Sequence, residues 1–454
     1  MQALDDYTLN KLASVLAVSP VDNDVSFSGV STDTRQIKKN NVFVALKGPS
    51  FDAHDYLDQA KQNGAIAAIV QRDVDSDLLQ IKVDDTLMAL GKMAAARRRS
   101  FAGKVIGLTG SNGKTTVKEL IASILVTNGK VLATKGNFNN DIGLPLTLMQ
   151  LEGDEKFAVI EMGANHSNEI DYLTKITQPD VALITNAGAA HLEGFGSLDG
   201  VSKAKGEIFN GLSENGTAII NLDDNYSEYW LSVSAQYQQK TFSLSNVSAD
   251  VYASNIQSTK SISEFNLHIT GKGTFLVKLP LSGQHNVANA LVAAAVASVC
   301  GVSNDDIRRG LENFSVVKGR LTFMQGKNAS TVIDDTYNAN LDSCKAAINV
   351  LKDQQGEKYF VFGDLFESGN DAVKIHQEIG EYAKSQGIDH VLTVGQLSQH
   401  TADFIGANDT ISIQHFSDKK ALSEYLIPHL NEETIVLIKG SRGMKMEEIV
   451  DQLV

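Results

Sequence analysis

The chain has 454 residues, 43% apolar and 21% charged, with a net charge of −14. That length exceeds what one hydrophobic core covers and predicts about two to four domains, while the ordinary globular composition leaves no room for a long disordered tail. The acidic balance excludes a nucleic-acid partner, because binding a phosphate backbone needs basic stripes.

Met1-Gln2-Ala3-Leu4-Asp5-Asp6 is acidic and has no basic region ahead of an apolar one, so no signal peptide is expected. Residues 1–83 read as a small α/β unit with a strand over 42–46, a helix over 56–63 and a strand over 65–70. Two polar loops in it carry anion-binding groups: Thr32-Asp33-Thr34-Arg35, and the loop from Gly48 to Asp55 with His54. From the residues alone, Asp33 with Arg35 reads equally as a local ion pair and His54 as a surface residue. A helical stretch over 85–99 follows, and its basic end, Arg97-Arg98-Arg99, is expected to be a solvated face favoured by the helix dipole.

Residues 84–313 alternate strands and helices as a doubly wound parallel sheet does, with strands over 105–109, 131–134, 157–162, 181–185 and 217–221. Ligands in such sheets lie beyond the carboxyl ends of the strands, which selects Lys114, Asn137, Glu161 and Asn186. From 242 to 281 the pattern turns to strict alternation, as in an antiparallel meander. His285-Asn286-Val287-Ala288-Asn289 then opens an alanine-rich helix too short to span a bilayer. An asparagine there is by itself an ordinary helix cap.

Residues 314–454 alternate again, with strands over 331–335, 359–364, 390–394 and 435–439 and helices over 341–351, 372–385 and 444–453, a second open α/β sheet. Cys300 and Cys344 lack the spacing of a metal or redox pair and read as incidental thiols in a reducing, cytoplasmic compartment.

The most informative stretch is Thr109-Gly110-Ser111-Asn112-Gly113-Lys114-Thr115-Thr116, set between an apolar strand and an amphipathic helix. Backbone N–H groups and the helix N-terminus face an anion there, the lysine adds a charge, and the hydroxyl after it can hold Mg²⁺. Leu108 stands where the usual spacing has a glycine, so the loop is shortened. Glu161, ending a second apolar strand, suits the metal, since a carboxylate there is costly unless paired. His191 and Lys205 follow, fourteen residues apart. A lysine serves a metal only if its neutral amine is carbamylated by CO₂, which turns it into an anionic oxygen ligand, and on the residues alone a solvated lysine is the better reading.

Taken together, the motifs resemble the Mur ligases, the ATP-dependent amide-forming enzymes of peptidoglycan synthesis. The shortened loop looks like that family's version. So do Gly136-Asn137-Phe138-Asn139-Asn140-Asp141-Ile142-Gly143, Glu161-Met162-Gly163, His191-Leu192-Glu193, Gly283-x-His285-Asn286-x-x-Asn289 and Gly319-Arg320. The His191 to Lys205 spacing is similar to that of the family's metal-binding histidine and carbamylated lysine, which reverses the reading of Lys205. Three C-terminal motifs resemble the branch that adds D-alanyl-D-alanine to UDP-N-acetylmuramoyl-tripeptide. They are Asp335-Thr336-Tyr337-Asn338-Ala339-Asn340-x-Asp342-Ser343, Gly363-Asp364-Leu365-x-Glu367-x-Gly369 followed by His376, and Lys439-Gly440-Ser441-Arg442-Gly443-Met444-Lys445-Met446-Glu447. Leu341 replaces the family's usual proline and Ala53 its usual glycine.

The resemblance implies three domains: a UDP-sugar-binding domain over 1–83, an ATP-binding P-loop domain over 84–313 and a Rossmann-like ligase domain over 314–454. It implies ATP and two Mg²⁺ ions as cofactors, held by Thr109 to Thr116, by Thr115 with Glu161, and by His191 with carbamylated Lys205. Lys114, Glu161, His191 and Lys205 would be catalytic, Asn286 and Asn289 would face the adenine, and Arg320 and Asp335 would reach the ATP. Thr32, Asp33 and Arg35 would meet the UDP-sugar, with Asn137, Tyr337, Asn338 and Asp364 around the other substrate groups. A cytoplasmic monomer acting in cell-wall synthesis, and so in cell shape and division, is expected. The alternatives are a related ligase with another amine acceptor, such as folylpolyglutamate synthetase, and a nucleotide-binding protein without catalysis. Tyr337-Asn338-Ala339-Asn340 argues against the first, and the presence of Lys114, Glu161, His191 and Lys205 against the second.

Overall fold

The computed structural model describes residues 7–189, 191–259, 261–366, 369–406 and 411–454. Glu367 and the acidic residues 1–6 lie outside the described residues. The protein is α/β with three domains, each built on its own sheet.

The N-terminal sheet is parallel in the order β1 (Gly29–Ser31), β2 (Asn41–Val44), β3 (Ala65–Val70), β4 (Leu79–Lys82). Ala53 opens a 3₁₀ turn capped by Asp52, and its φ is not positive, so the glycine usual there is not required. His54 is buried rather than on the surface, its Nε2 accepting from the Gln71 N–H and its Nδ1 lying 2.6 Å from Asp52. The helix Thr86–Arg99, capped by Asp85, packs Leu90 and Met93 into this domain and Ala94 into the next.

The expected solvated basic run at its end is corrected by the structure. Arg97 and Arg98 are buried: the Arg97 Nε donates to the Leu151 carbonyl at 2.7 Å, and Arg98 donates to the Thr177 and Gln178 carbonyls and meets Asp180 at 3.1 Å. The guanidinium's fixed fork of donors suits several carbonyls at once, so these two residues tie the helix to loops of the central domain.

The central sheet has nine strands: β5 (Lys104–Thr109), β6 (Val131–Ala133), β7 (Phe157–Glu161), β8 (Val181–Ile184), β9 (Thr217–Asn221), β10 (Gln238–Ser243), β11 (Val251–Ser258), β12 (Ser263–Ile269) and β13 (Gly273–Leu279). Their order is β13-β12-β11-β10-β9-β8-β5-β7-β6. The central parallel strands β5, β7 and β8 are buried on both faces beyond Lys104, hence their apolar runs. The meander is confined to β11, β12 and β13; β10 instead pairs in parallel with both β9 and β11, reached through the helix Ser227–Val233. The helix Gln284–Val299 is apolar nearly all round and therefore buried, against the helix Lys114–Leu125.

The C-terminal sheet runs β14 (Thr322–Gln325), β15 (Thr331–Asp335), β19 (Thr434–Lys439), β16 (Glu357–Gly363), β17 (His390–Val394), β18 (Ser412–Phe416), with only β14 antiparallel. Leu341 occupies the first helical position after the cap Asn340, a place where leucine and proline both fit. The last helix starts later than its pattern suggests, at Glu447, because Lys445 takes a left-handed conformation and turns Met446 into the core.

Candidate functional site

The carboxyl ends of β5, β7 and β8 and the C-terminal domain enclose a cleft of about 1100 Å³. The turn after β5 begins the helix Lys114–Leu125 at Gly113, whose φ of 79° lies in the left-handed region, and a Cβ there would fall 2.7 Å from Asn289 Oδ1. Only glycine meets both demands. The Lys114 ammonium folds back onto its own loop, donating to the Gly110 carbonyl at 2.6 Å and the Ser111 carbonyl at 3.3 Å. Burial holds its pKa below the ordinary lysine value, with Glu161 opposing and Arg320 adding to the shift.

A second loop, from Thr185 to Ala189 after β8, braces the first. Asn186 Oδ1 accepts from the Asn112 N–H at 2.9 Å, the Asn186 carbonyl accepts from the Ser111 N–H, and the Thr185 hydroxyl donates to the Asn112 carbonyl at 2.6 Å. The phosphate loop thus keeps its shape through bonds to protein groups, leaving its helix N-terminus facing the cleft.

Glu161 ends β7 inside the protein. Its Oε1 accepts from Asn139 Nδ2 at 2.8 Å, and its Oε2 is buried without a hydrogen-bond partner among the described residues. A buried carboxylate oxygen left unpaired is costly, and a cation beside the Thr115 hydroxyl removes that cost. The donor set therefore fits a hard divalent ion. His191, with its left-handed φ of 54°, begins the short helix Leu192–Phe195 and lines the same cleft. Lys205 lies buried near the end of the helix Leu198–Gly206, 5.3 Å from the Phe195 ring centroid. Burial, and next the positive charge of Lys114, push its amine down to about 7. A group with that pKa spends much of its time as the neutral, nucleophilic amine at neutral pH.

A narrower cavity of about 350 Å³ opens on the other side of the loop and is lined by Gly113, Thr116, Asn286, Asn289, Arg320 and Asp335. Asn289 Nδ2 donates to Asn286 Oδ1 at 3.2 Å, and Arg320 stacks on Tyr337, 4.2 Å from the ring centroid. Asp335 is ion-paired with the buried Lys439, whose Nζ also donates to the Asn338 carbonyl at 3.0 Å.

The structure thus gathers Ser111 to Thr115, Asn137, Glu161, His191, Tyr337 and Asn338 on the larger cleft, with Asn112, Gly113 and Arg320 on both. Thr109 and Gly110 stand behind the loop, the Thr109 hydroxyl donating to the Met162 carbonyl. Thr32, Asp33 and Arg35 do not line either cavity; Arg35 is paired with Asp33 at 2.8 Å. Asp364 is also apart, its carboxylate accepting from the Gln396 and Ser398 N–H groups within the C-terminal domain. Sequence reasoning missed Asn139 and Lys439 as supports of Glu161 and Asp335. Both lie inside quoted motifs, but their partners are distant in sequence.

Comparison with known proteins shows the family. Residues 26–98 match the Mur ligase family catalytic domain, 108–297 the Mur ligase middle domain and 319–442 the Mur ligase glutamate ligase domain. The chain is 45% identical, over 98% of both chains, to the UDP-N-acetylmuramoyl-tripeptide--D-alanyl-D-alanine ligase of Escherichia coli. The crystal structure of MurF from Acinetobacter baumannii superposes with a TM-score of 0.92 at 38% identity, covering 98% of each chain. MurF ligase from Thermotoga maritima in complex with ADP gives a TM-score of 0.83 at 28% identity, over 93% of this chain and 96% of that one.

Proposed function

The chain belongs to the Mur ligase family, and from that premise we propose that it joins D-alanyl-D-alanine to UDP-N-acetylmuramoyl-tripeptide, with conversion of ATP to ADP and phosphate. The observation that carries this reading is the single cleft shared by the phosphate loop, Glu161, His191 and the Tyr337-Asn338 turn of the C-terminal domain. It acts in the cytoplasm, as a monomer, in the building of the peptidoglycan precursor. Among the described residues no helix is long and apolar enough to cross a membrane.

The terminal carboxylate of the tripeptide attacks the γ-phosphate of ATP, and the resulting acyl phosphate is attacked by the dipeptide amine to give the amide and phosphate. Positioning and charge neutralisation dominate the first step. Lys114, freed from its loop carbonyls, and the N–H groups opening the helix Lys114–Leu125 hold the phosphates. Arg320 and Asp335 close on the nucleotide from the C-terminal side, with Asn286 and Asn289 beside the base. Two Mg²⁺ ions, one on Thr115 and Glu161 and one on His191 and a carbamylated Lys205, would supply further neutralisation of the phosphoryl oxygens. The N-terminal domain holds the UDP-sugar, and walls from two domains keep water from the acyl phosphate.

Incubation with ATP, UDP-N-acetylmuramoyl-tripeptide and D-alanyl-D-alanine, followed by mass spectrometry, tests the reading. Formation of the UDP-muramoyl-pentapeptide supports it. Turnover only with another amine acceptor points to a related ligase, and ATP binding without product points to a non-catalytic protein.

A further inference from the structure

Asn340 and Asp342 sit at the start of the helix Leu341–Lys352 in the C-terminal domain, yet both reach across to the central domain. Asn340 uses its amide in two directions. Its Oδ1 accepts from the Ser343 N–H at 2.9 Å and caps its own helix, while its Nδ2 donates to Asn112 Oδ1 in the phosphate loop at 2.8 Å. The cap is closed reciprocally by the Ser343 hydroxyl, which accepts from the Asn340 N–H at 2.9 Å, so the side chain has little freedom. Two residues on, Asp342 Oδ2 accepts from the Ala189 N–H at 3.1 Å. Ala189 lies on the same brace loop that holds the phosphate loop through Thr185 and Asn186. The approach is close enough that a Cβ on Gly188 would collide with the Asp342 carboxylate. Asn112 lines both cavities, Asn340 the larger and Asp342 the smaller, so these contacts stand in the wall between them.

On the ligase reading above, we propose that Asn340 and Asp342 are positioning residues that latch the C-terminal domain to the phosphate loop while the acyl phosphate exists. The latch touches no reacting atom. It acts through Asn112 and Ala189, keeping the domain that brings the amine pressed against the domain that holds the activated carboxyl. Two bonds, one to a carboxylate, are enough to bias a domain equilibrium without fixing it. When the latch opens early, water in place of the amine attacks the acyl phosphate, the acyl–phosphate linkage breaks, and the carboxylate and phosphate are released without an amide.

The readout is therefore the ratio of phosphate released to amide formed. Asn340→Ser keeps a good helix cap but is too short to reach Asn112, Asp342→Ala removes the second contact, and Asp342→Asn keeps an acceptor for the Ala189 N–H. We expect about one phosphate per amide in the wild type and in Asp342→Asn, and amide formation about tenfold slower in Asn340→Ser and Asp342→Ala. In those two variants phosphate release should exceed amide formation at least about twofold, growing in the double variant. Circular dichroism and melting temperature establish that each variant is folded. Slower but still one-to-one turnover in both folded variants overturns the latch, because a merely structural defect lowers both products alike. A wild type that makes no amide overturns the ligase reading instead.

Discussion

Asn139 Nδ2 donates to one oxygen of Glu161 at 2.8 Å and leaves the other buried, without a hydrogen-bond partner among the described residues. The carboxylate is oriented by the amide of a residue that lines the same cleft. Such supporting bonds fix a ligand's direction and commonly change metal affinity by about 10–100-fold.

Replacing Asn139 with alanine should therefore raise the Mg²⁺ concentration needed for half-maximal rate by about tenfold or more, with saturating ATP and substrates. Titration of activity with Mg²⁺ measures this. An unchanged Mg²⁺ dependence would mean that Glu161 is held by other groups, or holds no ion.

Lys205→Ala should reduce turnover by about 10³-fold or more, the scale on which loss of a residue acting at developing phosphoryl charge is felt. The fold should survive, because the variant removes an amine whose burial is already unfavourable to its charged form. Steady-state rates beside a melting curve decide it: near-normal activity in a folded variant would sink the carbamate.

The buried pair of Lys439 and Asp335 joins the ends of β19 and β15 beside the smaller cavity. Lys439→Met leaves a buried carboxylate uncompensated and should lower stability by about 3–5 kcal/mol. Adding Asp335→Leu should restore most of that stability but not the affinity for ATP. Urea midpoints and the KM for ATP separate the two effects; recovery of both would remove Asp335 from the nucleotide site.

Much of this was legible in the sequence because it is local. The run from Val105 to Thr116 states a strand, a turn and a helix start in order, and β3, β9 and β17 begin and end where their apolar patterns do. What was not legible depends on distant partners. Arg97 and Arg98 read as solvated until the carbonyls of Leu151, Thr177 and Gln178 are folded against them. Edge strands such as β14 and β18 bury few of their residues and carry a weak pattern. Asp364 sits at a strand end, as ligand-binding residues do, but the N–H groups of Gln396 and Ser398 occupy its carboxylate.

His376 is fully buried, its Nδ1–H donating to the Ala372 carbonyl at 2.7 Å and its Nε2 accepting from the Leu365 N–H at 3.1 Å. This tautomer leaves no site for a second proton, and burial lowers the pKa below the ordinary histidine value. The stabilisation is therefore complete above about pH 6.5, the unfolded value, and is lost as pH falls from there toward the folded pKa. Urea unfolding at about pH 7.5 and 5.5 should show a larger acid loss in the wild type than in His376→Gln. Equal losses would place the acid sensitivity elsewhere.

The most direct test of the central claim is phosphate release from ATP with substrates supplied singly and together. The account predicts sustained release only when UDP-N-acetylmuramoyl-tripeptide and D-alanyl-D-alanine are both present. Equal stimulation by a single free amino acid, or by a folate with glutamate, would contradict it.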